Sequence, residues 1–393
     1  MKIAVFSDIH AGFGKGIREN DSYIALKEAL ELSKYCDLIL IAGDIFDTRV
    51  PKQEVFAKIA KIFTYTKQFP SSAKLKEVIG KDIKEISSLA LKGIPVIAIH
   101  GNHERRSREL INPVQALEHA GLVINLHCAT AIFEINGEEV AIHGMGSVPE
   151  RYARDVLREW RPKPIKGAKN ILMLHQSIGE YIYSPLEPPS LRLEDLPDGF
   201  DFYIIGHIHW HDIRNYKQGK LLFPGSLVTT TPKKIEATQQ KGVWIIENNN
   251  IKFIPLKFQR KIYFKDFEAS PQVKQRIKMF LSSVEKGSIV YIKIKGKTNE
   301  KIELRDILEE YNKILELKIK NETISESEEE KVKLIELIRE QKLSPEELGK
   351  EMLRRNAEKL GCKIKIDEIF DLLVSGDIET AFAVLKGEQK TLW

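Results

Sequence analysis

The sequence predicts an α/β protein, and three observations carry that prediction. Five nearly unbroken apolar runs, "KIAVF", "DLILIA", "IPVIAI", "NILML" and "DFYII", are rich in Ile, Val and Leu, as strands buried on both faces are. Amphipathic stretches lie between them, such as "EVFAKIAKIFTYTKQF" at 54–69 and "VQALEHAG" at 114–121. Later runs, "KLLFPGS", "GVWIIE" and "IKFIPL", read as antiparallel strands that complete a first domain over residues 1–256.

Size and composition bound the rest. At 393 residues the chain has room for two or three units. With 42% hydrophobic and 30% charged residues, a soluble globular class is expected. No apolar run approaches the ~20 residues of a membrane helix, and Asp8 interrupts the N-terminal "MKIAVFSDIH", so no signal peptide or anchor is expected. The three cysteines, Cys36, Cys128 and Cys362, are odd in number and lack metal-site spacing, which fits a reducing cytoplasm. Lys plus Arg exceed Asp plus Glu by only 61 to 56, too slight an excess to indicate nucleic acid by itself.

The pattern changes character near residue 257. Residues 262–320 read strand, helix, strand, helix, strand, enough for a small α/β domain over 257–320. The acidic "NETISESEEEK" at 321–331 has little to bury and reads as a linker. Residues 332–393 read as amphipathic helices. Ser344-Pro345-Glu346-Glu347 has the form of a capping box opening one helix, and two short helices are expected near 367–375 and 378–386. Residues such as Ile338, Met352, Phe370, Leu373 and Leu385 make this tail too apolar to stand free, while so few residues bury too little to be stable alone.

Each of the five buried runs ends in polar, metal-capable residues. They are Ser7-Asp8-Ile9-His10, Gly43-Asp44, His100-Gly101-Asn102-His103-Glu104, His175-Gln176 and Gly206-His207-Ile208-His209. Ligands of α/β proteins bind outside the carboxyl ends of the strands, so the five ends should converge on one cleft. Two divalent ions ~3.5–4 Å apart can clamp the attacking and leaving oxygens of a phosphoryl transfer. The ligand inventory for such a pair is Asp8, His10, Asp44, Asn102, His175, His207 and His209. Carboxylate and imidazole without thiolate suit manganese or iron, with zinc or magnesium less favoured. Glycines 43, 101 and 206 are read as permitting sharp turns, and His207 and His209, two apart, as facing one side of an extended strand end. His100 and His211 are expected to support the ligands. His119, His127 and His143 are expected to serve packing or surface roles.

With those residues in place, the chain resembles the calcineurin-like metallophosphoesterases, whose pattern is D-x-H, G-D, G-N-H, H and G-H-x-H. More closely, it resembles the archaeal Mre-eleven/SbcD family of double-strand-break repair nucleases, through "FSDIHAG", "LIAGDIFD", "IHGNHERR", "IHGM", "MLHQSI", "IGHIHW" and "FPGSL". The resemblance implies a four-layer α/β/β/α sandwich over 1–256, a capping domain, and a manganese-dependent 3′–5′ exonuclease and endonuclease acting on DNA ends. It implies one metal on Asp8, His10, Asp44 and His209, and the other on Asp44, Asn102, His175 and His207. It gives His103 the catalytic role of stabilising charge at the phosphate and protonating the leaving 3′ oxygen, with a hydroxide generated at the metals attacking phosphorus. A Rad-fifty-type coiled-coil ATPase would bind the C-terminal helices, and two copies would pair through helices near 53–68 and 112–120, with Phe56, Ile59, Phe63, Val114 and Leu117 at the contact. A nucleoid-associated, cytoplasmic location follows. Two positions depart from the family pattern: Glu104 stands where aspartate is usual, and Asp47 where many members carry a second catalytic histidine.

The alternative reading is a metallophosphoesterase for a small phosphodiester or phosphomonoester, since fold does not fix substrate. The added domain and helical tail argue against it. ATP binding by this chain is excluded, because "GKT" at 296–298 lacks the upstream glycine of a phosphate-binding loop, position 291 being tyrosine.

Overall fold

The computed structural model describes residues 1–107, 110–182, 190–298, 302–324, 345–359, 361 and 365–386. Strands β1 (Lys2–Phe6), β2 (Leu38–Ile41), β3 (Ala73–Ile79), β4 (Val96–Ala98), β5 (Ile124–Asn125), β6 (Ala129–Ile135) and β7 (Glu138–Met145) are followed by β8 (Lys169–His175) and β9 (Phe202–Gly206). Then come β10 (Asp212–Tyr216), β11 (Gly219–Phe223), β12 (Gly242–Glu247) and β13 (Asn250–Pro255). They form a six-stranded sheet, β13-β12-β1-β2-β4-β5, and a seven-stranded sheet, β10-β11-β9-β8-β7-β6-β3. The two sheets face each other.

Period-two alternation explains how both faces of each sheet are buried. Ile3 and Val5 of β1 point into the core between the sheets, with Ile171 and Met173 of β8 and Ile204 of β9. Ala4 and Phe6 point the other way, against helices α1 (Asp21–Leu32), α2 (Gln53–Phe63) and α3 (Pro113–His119). Leu172 and Leu174 pack instead with Ala153 and Leu157 of α4 (Glu150–Trp160). The result is the expected α/β/β/α stack. Helix α4 was visible in the sequence only as a basic cluster, because its polar face dominates the composition and just Ala153 and Leu157 are buried.

The surplus apolar surface expected on α2 and α3 is corrected. Ile59, Phe63, Val114 and Leu117 are fully buried against the first sheet, and Phe56 is half-buried with its ring stacked 5.7 Å from Phe46. The apolar stripe of each helix is used by its own chain.

Strands β14 (Ile262–Glu268), β15 (Ile289–Lys295) and β16 (Glu316–Asn321) form a three-stranded sheet with helices α5 (Val273–Ser283) and α6 (Arg305–Tyr311), in the expected order. Asn321, read as the start of the linker, closes β16; residues 325–331 lie outside the described residues. The chain divides into one compact unit of Met1–Lys265, Lys274–Ile292 and Leu304–Lys320 and another of Asp266–Val273, Lys293–Glu303 and Asn321–Trp393. The residues of the small α/β segment are therefore shared between the two.

In the second unit three helices span Pro345–Lys359, Ile366–Val374 and Ile378–Leu385. Ile369, Ala381 and Ala383 are buried, and Gly349 leaves room for the Phe370 ring. Leu334, Ile335, Ile338 and Ser344 lie outside the described residues.

Candidate metal centre

All the candidate site residues lie where strands stop. β1, β2 and β4 of one sheet and β8 and β9 of the other send their carboxyl ends to the same place, so the ligands are contributed by both sheets. The backbone there is unusual. Asp8, His10, Asp44 and His207 have φ of 52°, 49°, 50° and 91°, a left-handed region that non-glycine residues seldom occupy and that concentrates at functional sites. Hydrogen bonds pin these turns: Asp8 N–H donates to Gly43 O (3.0 Å) and His10 N–H to Asp44 O (2.9 Å). His207 and His209 lie past the strand rather than on it, since β9 ends at Gly206.

The glycines act differently from one another. Gly43 has φ 101° and makes a turn that favours glycine. Gly101 and Gly206 are required by proximity instead: an added Cβ at Gly101 would overlap Asp44 Oδ1, and one at Gly206 would overlap Ala42 O.

The side chains converge in two groups sharing Asp44. On one side, His10 Nε2 lies 3.1 Å from His209 Nε2 and 3.9 Å from both Asp8 Oδ1 and Asp44 Oδ2. Asp8 Oδ1 and His209 Nε2 are 3.8 Å apart. On the other side, Asn102 Oδ1 lies 3.1 Å from His175 Nε2 and 3.1 Å from His207 Nδ1, while Asp44 Oδ2 is 3.3 Å from His175 Nε2. Asp44 Oδ2 thus faces both groups.

Tautomers decide what this arrangement can hold. His175 Nδ1–H donates to Ala42 O (2.6 Å) and His10 Nδ1–H to Asp47 Oδ1 (3.0 Å), while His209 Nδ1 meets the Thr230 hydroxyl (3.2 Å). The Nε2 atoms of His10 and His175 are therefore turned inward, His10 toward His209 Nε2 and His175 toward the Asn102 and Asp44 oxygens. Burial lowers His10, but the Asp47, Asp44 and Asp8 carboxylates prevail and raise it, so a bound cation would take the place of protons there. Asp8 Oδ1 is buried with no hydrogen-bond partner among the described residues. Buried carboxylates and imidazoles drawn this close call for positive charge among them, whether protons or metal ions. The donor set fits a pair of divalent ions, and the triads Asp8–His10–His209 and Asp8–Asp44–His175 each bring their ligand atoms within 4.8 Å of one another.

Charges respond accordingly. Burial would raise the Asp44 carboxyl, but His175, His10 and His103 outweigh it and hold it well below the usual range. Burial lowers His175, yet Asp44 and Asp8 prevail and push it up to about 9. Burial, with the neighbouring His10, holds His209 well below its ordinary value.

His103 lies at the exposed edge of the centre, with a ring nitrogen within 4.8 Å of ligand atoms of His10 and Asp44. Its backbone N–H donates to Asp44 Oδ1 (3.0 Å) and its Nδ1–H to Asp47 O (2.9 Å), with the ring 4.8 Å from that of His10. Its side chain is 40% exposed, so it can meet a ligand from solvent. The two departing positions both hold loops. Glu104 accepts from Phe46 N–H (2.8 Å) and Gly101 N–H (2.9 Å), tying the second and third strand ends together, and burial beside Asp44 pushes its carboxyl up to about 8. Asp47 orients His10, a role the sequence did not disclose because it depends on a loop returning past the site.

Of the remaining histidines, His119, His127 and His143 take packing or surface places as expected, whereas His100 and His211, expected to support the ligands, contact Ser147 and the Trp244–Phe253 pair instead. His100 is buried with Nε2–H donating to Ser147 O (3.1 Å), His211 packs between Trp244 and Phe253, and His143 is buried in the sheet. His119 and His127 are exposed. Sequence reasoning missed Thr230 behind His209, for which no spacing signal exists.

A family model described as calcineurin-like phosphoesterase matches residues 1–211, more than half of the chain. The chain belongs to the calcineurin-like phosphoesterase family. Among curated relatives, this phosphoesterase is similar to the DNA double-strand break repair protein Mre11 of Sulfurisphaera tokodaii, 26% identical, with 85% of this chain and 84% of that protein covered. The Mre11 of Sulfolobus acidocaldarius is also 26% identical, over 82% of this chain and 85% of its own. That of Methanopyrus kandleri is 25% identical, over 63% of this chain but only 54% of its own length. The Mre11-type resemblance thus runs through most of this phosphoesterase, and its chemistry is that of a metal-dependent phosphoesterase. Among the described residues no helix is long and apolar enough to cross a membrane.

Proposed function

We propose that this phosphoesterase is an Mre11-type DNA nuclease, cutting phosphodiesters with two manganese ions as the 3′–5′ exonuclease and endonuclease of a break-repair complex. The observation that carries the reading is the convergence of buried carboxylates and imidazoles on Asp44, together with similarity to Mre11 proteins along most of the chain. Asp8, His10, Asp44 and His209 would hold one ion, and Asp44, Asn102, His175 and His207 the other. When bound, the ions supply a nucleophile at neutral pH and neutralise charge on the phosphate. His103 then does what geometry favours: its Nδ1 is tied to Asp47 O, so Nε2 is directed at a ligand and can carry a proton to the departing oxygen.

The bounds proposed are a nuclease domain over 1–256, a capping domain over 257–320, and, after a linker, C-terminal helices that dock a Rad-fifty-type ATPase. Supporting the last point, Leu373, Val374, Ile378, Phe382 and Leu385 are 47–71% exposed on the two final helices, an apolar row of the kind laid into a partner's groove. Pairing of two copies through α2 and α3 would have to use residues other than the buried ones named above.

The deciding assay offers labelled duplex and single-stranded DNA with manganese, magnesium or EDTA, beside bis-p-nitrophenyl phosphate. Manganese-dependent shortening of DNA is expected. Hydrolysis of the small ester with DNA left intact would replace this reading by that of a small-substrate phosphoesterase.

A further inference from the structure

The stretch from His207 to His211 joins β9 to β10 without a strand ladder of its own, yet it carries two of the seven proposed ligands. What holds it is the segment 229–241, which passes behind. Lys241 is buried, and its ammonium has three protons to donate. They reach His209 O (2.7 Å), Ser226 Oγ (2.9 Å) and Glu236 Oε1 (2.7 Å), so each has an acceptor. Ser226 N–H adds a second donor to the same His209 carbonyl (3.1 Å). Gln239 grips the next turn, accepting from His211 N–H (3.0 Å) and donating to His211 O (3.2 Å). Thr230 Oγ1 meets the imidazole of His209 at Nδ1 (3.2 Å), which fixes the ring with Nε2 toward His10 and Asp8.

A buried ion pair is a weak source of stability, since apolar residues of similar volume usually serve the fold as well. Its placement on the carbonyl of one residue calls for another explanation. We infer that Thr230 and the Lys241–Glu236 pair are positioning residues, which hold the backbone and ring of His209 where the ion shared with Asp8 and His10 is bound. The inference rests on the two-metal reading above. It predicts that the strap sets affinity at one of the two ions and leaves the other, on Asn102, His175 and His207, nearly untouched. Outer partners of metal ligands typically contribute 10–100-fold in affinity.

The test is calorimetric titration of the full chain with manganese, beside turnover of bis-p-nitrophenyl phosphate. Two variants are compared with wild type: Thr230→Val, which introduces no buried charge, and Lys241→Met with Glu236→Met, which replaces both members of the pair with apolar side chains of similar length. Each is expected to bind one manganese as wild type does and the second about 10–100-fold more weakly. At limiting metal kcat should fall while KM stays within about twofold, and excess manganese should restore kcat, a rescue that a merely misfolded chain would not show. Lys241→Arg, which keeps donors toward His209 O, should lie closer to wild type than the double variant. If the double variant does not fold, Thr230→Val alone decides. Two ions bound with wild-type affinity in the folded variants overturn the inference while sparing the dimetal reading. Fewer than two ions in wild type overturn both.

Discussion

At the scale of single residues, Asp44 is the point on which both halves of the centre depend. Replacing it with Ala should leave at most one weakly held manganese and no measurable DNA cleavage; a stoichiometry near two in Asp44→Ala would remove it as the bridge. His103 makes a separable prediction, because its hydrogen bond to Asp44 comes from its backbone while its side chain is partly exposed. His103→Ser should keep both metals and lose cleavage by roughly 10²–10⁴-fold, the span of a general acid, as read by DNA turnover beside a manganese titration. Asp8, His10, Asn102, His175, His207 and His209 were legible in the sequence, since each follows a buried run and metal chemistry explains why a run should end so. Other residue-scale facts were not legible. The left-handed backbone at Asp8, His10, Asp44 and His207 and the carboxylate of Asp47 on His10 go with contacts 34 or more positions apart, which no local pattern encodes.

At the scale of elements, the strands from runs of Ile, Val and Leu were plain, whereas β6 and β7 were not singled out because their polar ends blur the alternation. β7 and β8 carry a buried polar device of their own. His143 Nε2–H donates to Asn170 Oδ1 (3.3 Å) and Nδ1 accepts from Thr130 (2.9 Å), while burial pushes the imidazole down to about 4. A histidine kept neutral by the fold takes up a proton more readily when unfolded. Its contribution is therefore complete above pH ~6.5, the unfolded value, and is lost as pH falls toward about 4. The loss is on the order of 3 kcal/mol. Thermal midpoints of the metal-free chain should fall between pH 7 and 4, and His143→Gln should flatten that slope; equal slopes in both chains would contradict the assignment. Helices α2 and α3 show the opposite limit of sequence reading. Their apolar residues were seen correctly, but whether a stripe faces its own sheet or a second molecule is a tertiary fact.

At the scale of the whole molecule, composition suggested an aliphatic first 256 residues, a small α/β segment and an apolar tail after an acidic stretch, whereas contacts divide the chain so that the small segment is shared between two units. Deleting 330–393 should leave manganese binding and nuclease activity within about twofold, because no proposed ligand lies there. The same deletion should abolish co-purification with a coiled-coil ATPase, and full-affinity binding by the truncated chain would place the docking surface elsewhere. Sedimentation of the intact chain addresses pairing, with a monomer at all concentrations excluding it.

The strand ends that supply the centre come from both sheets, three from one and two from the other. Seen mechanically, a bound ion is a rivet through the sandwich, because sliding one sheet against the other would break its coordination. Ligands that bind only the folded state raise its stability by about 2.7 kcal/mol at a hundredfold excess over Kd. Chelation should then do more than silence the enzyme. The first domain should melt several degrees lower in EDTA than in manganese, and Asp44→Ala should melt at one temperature in either.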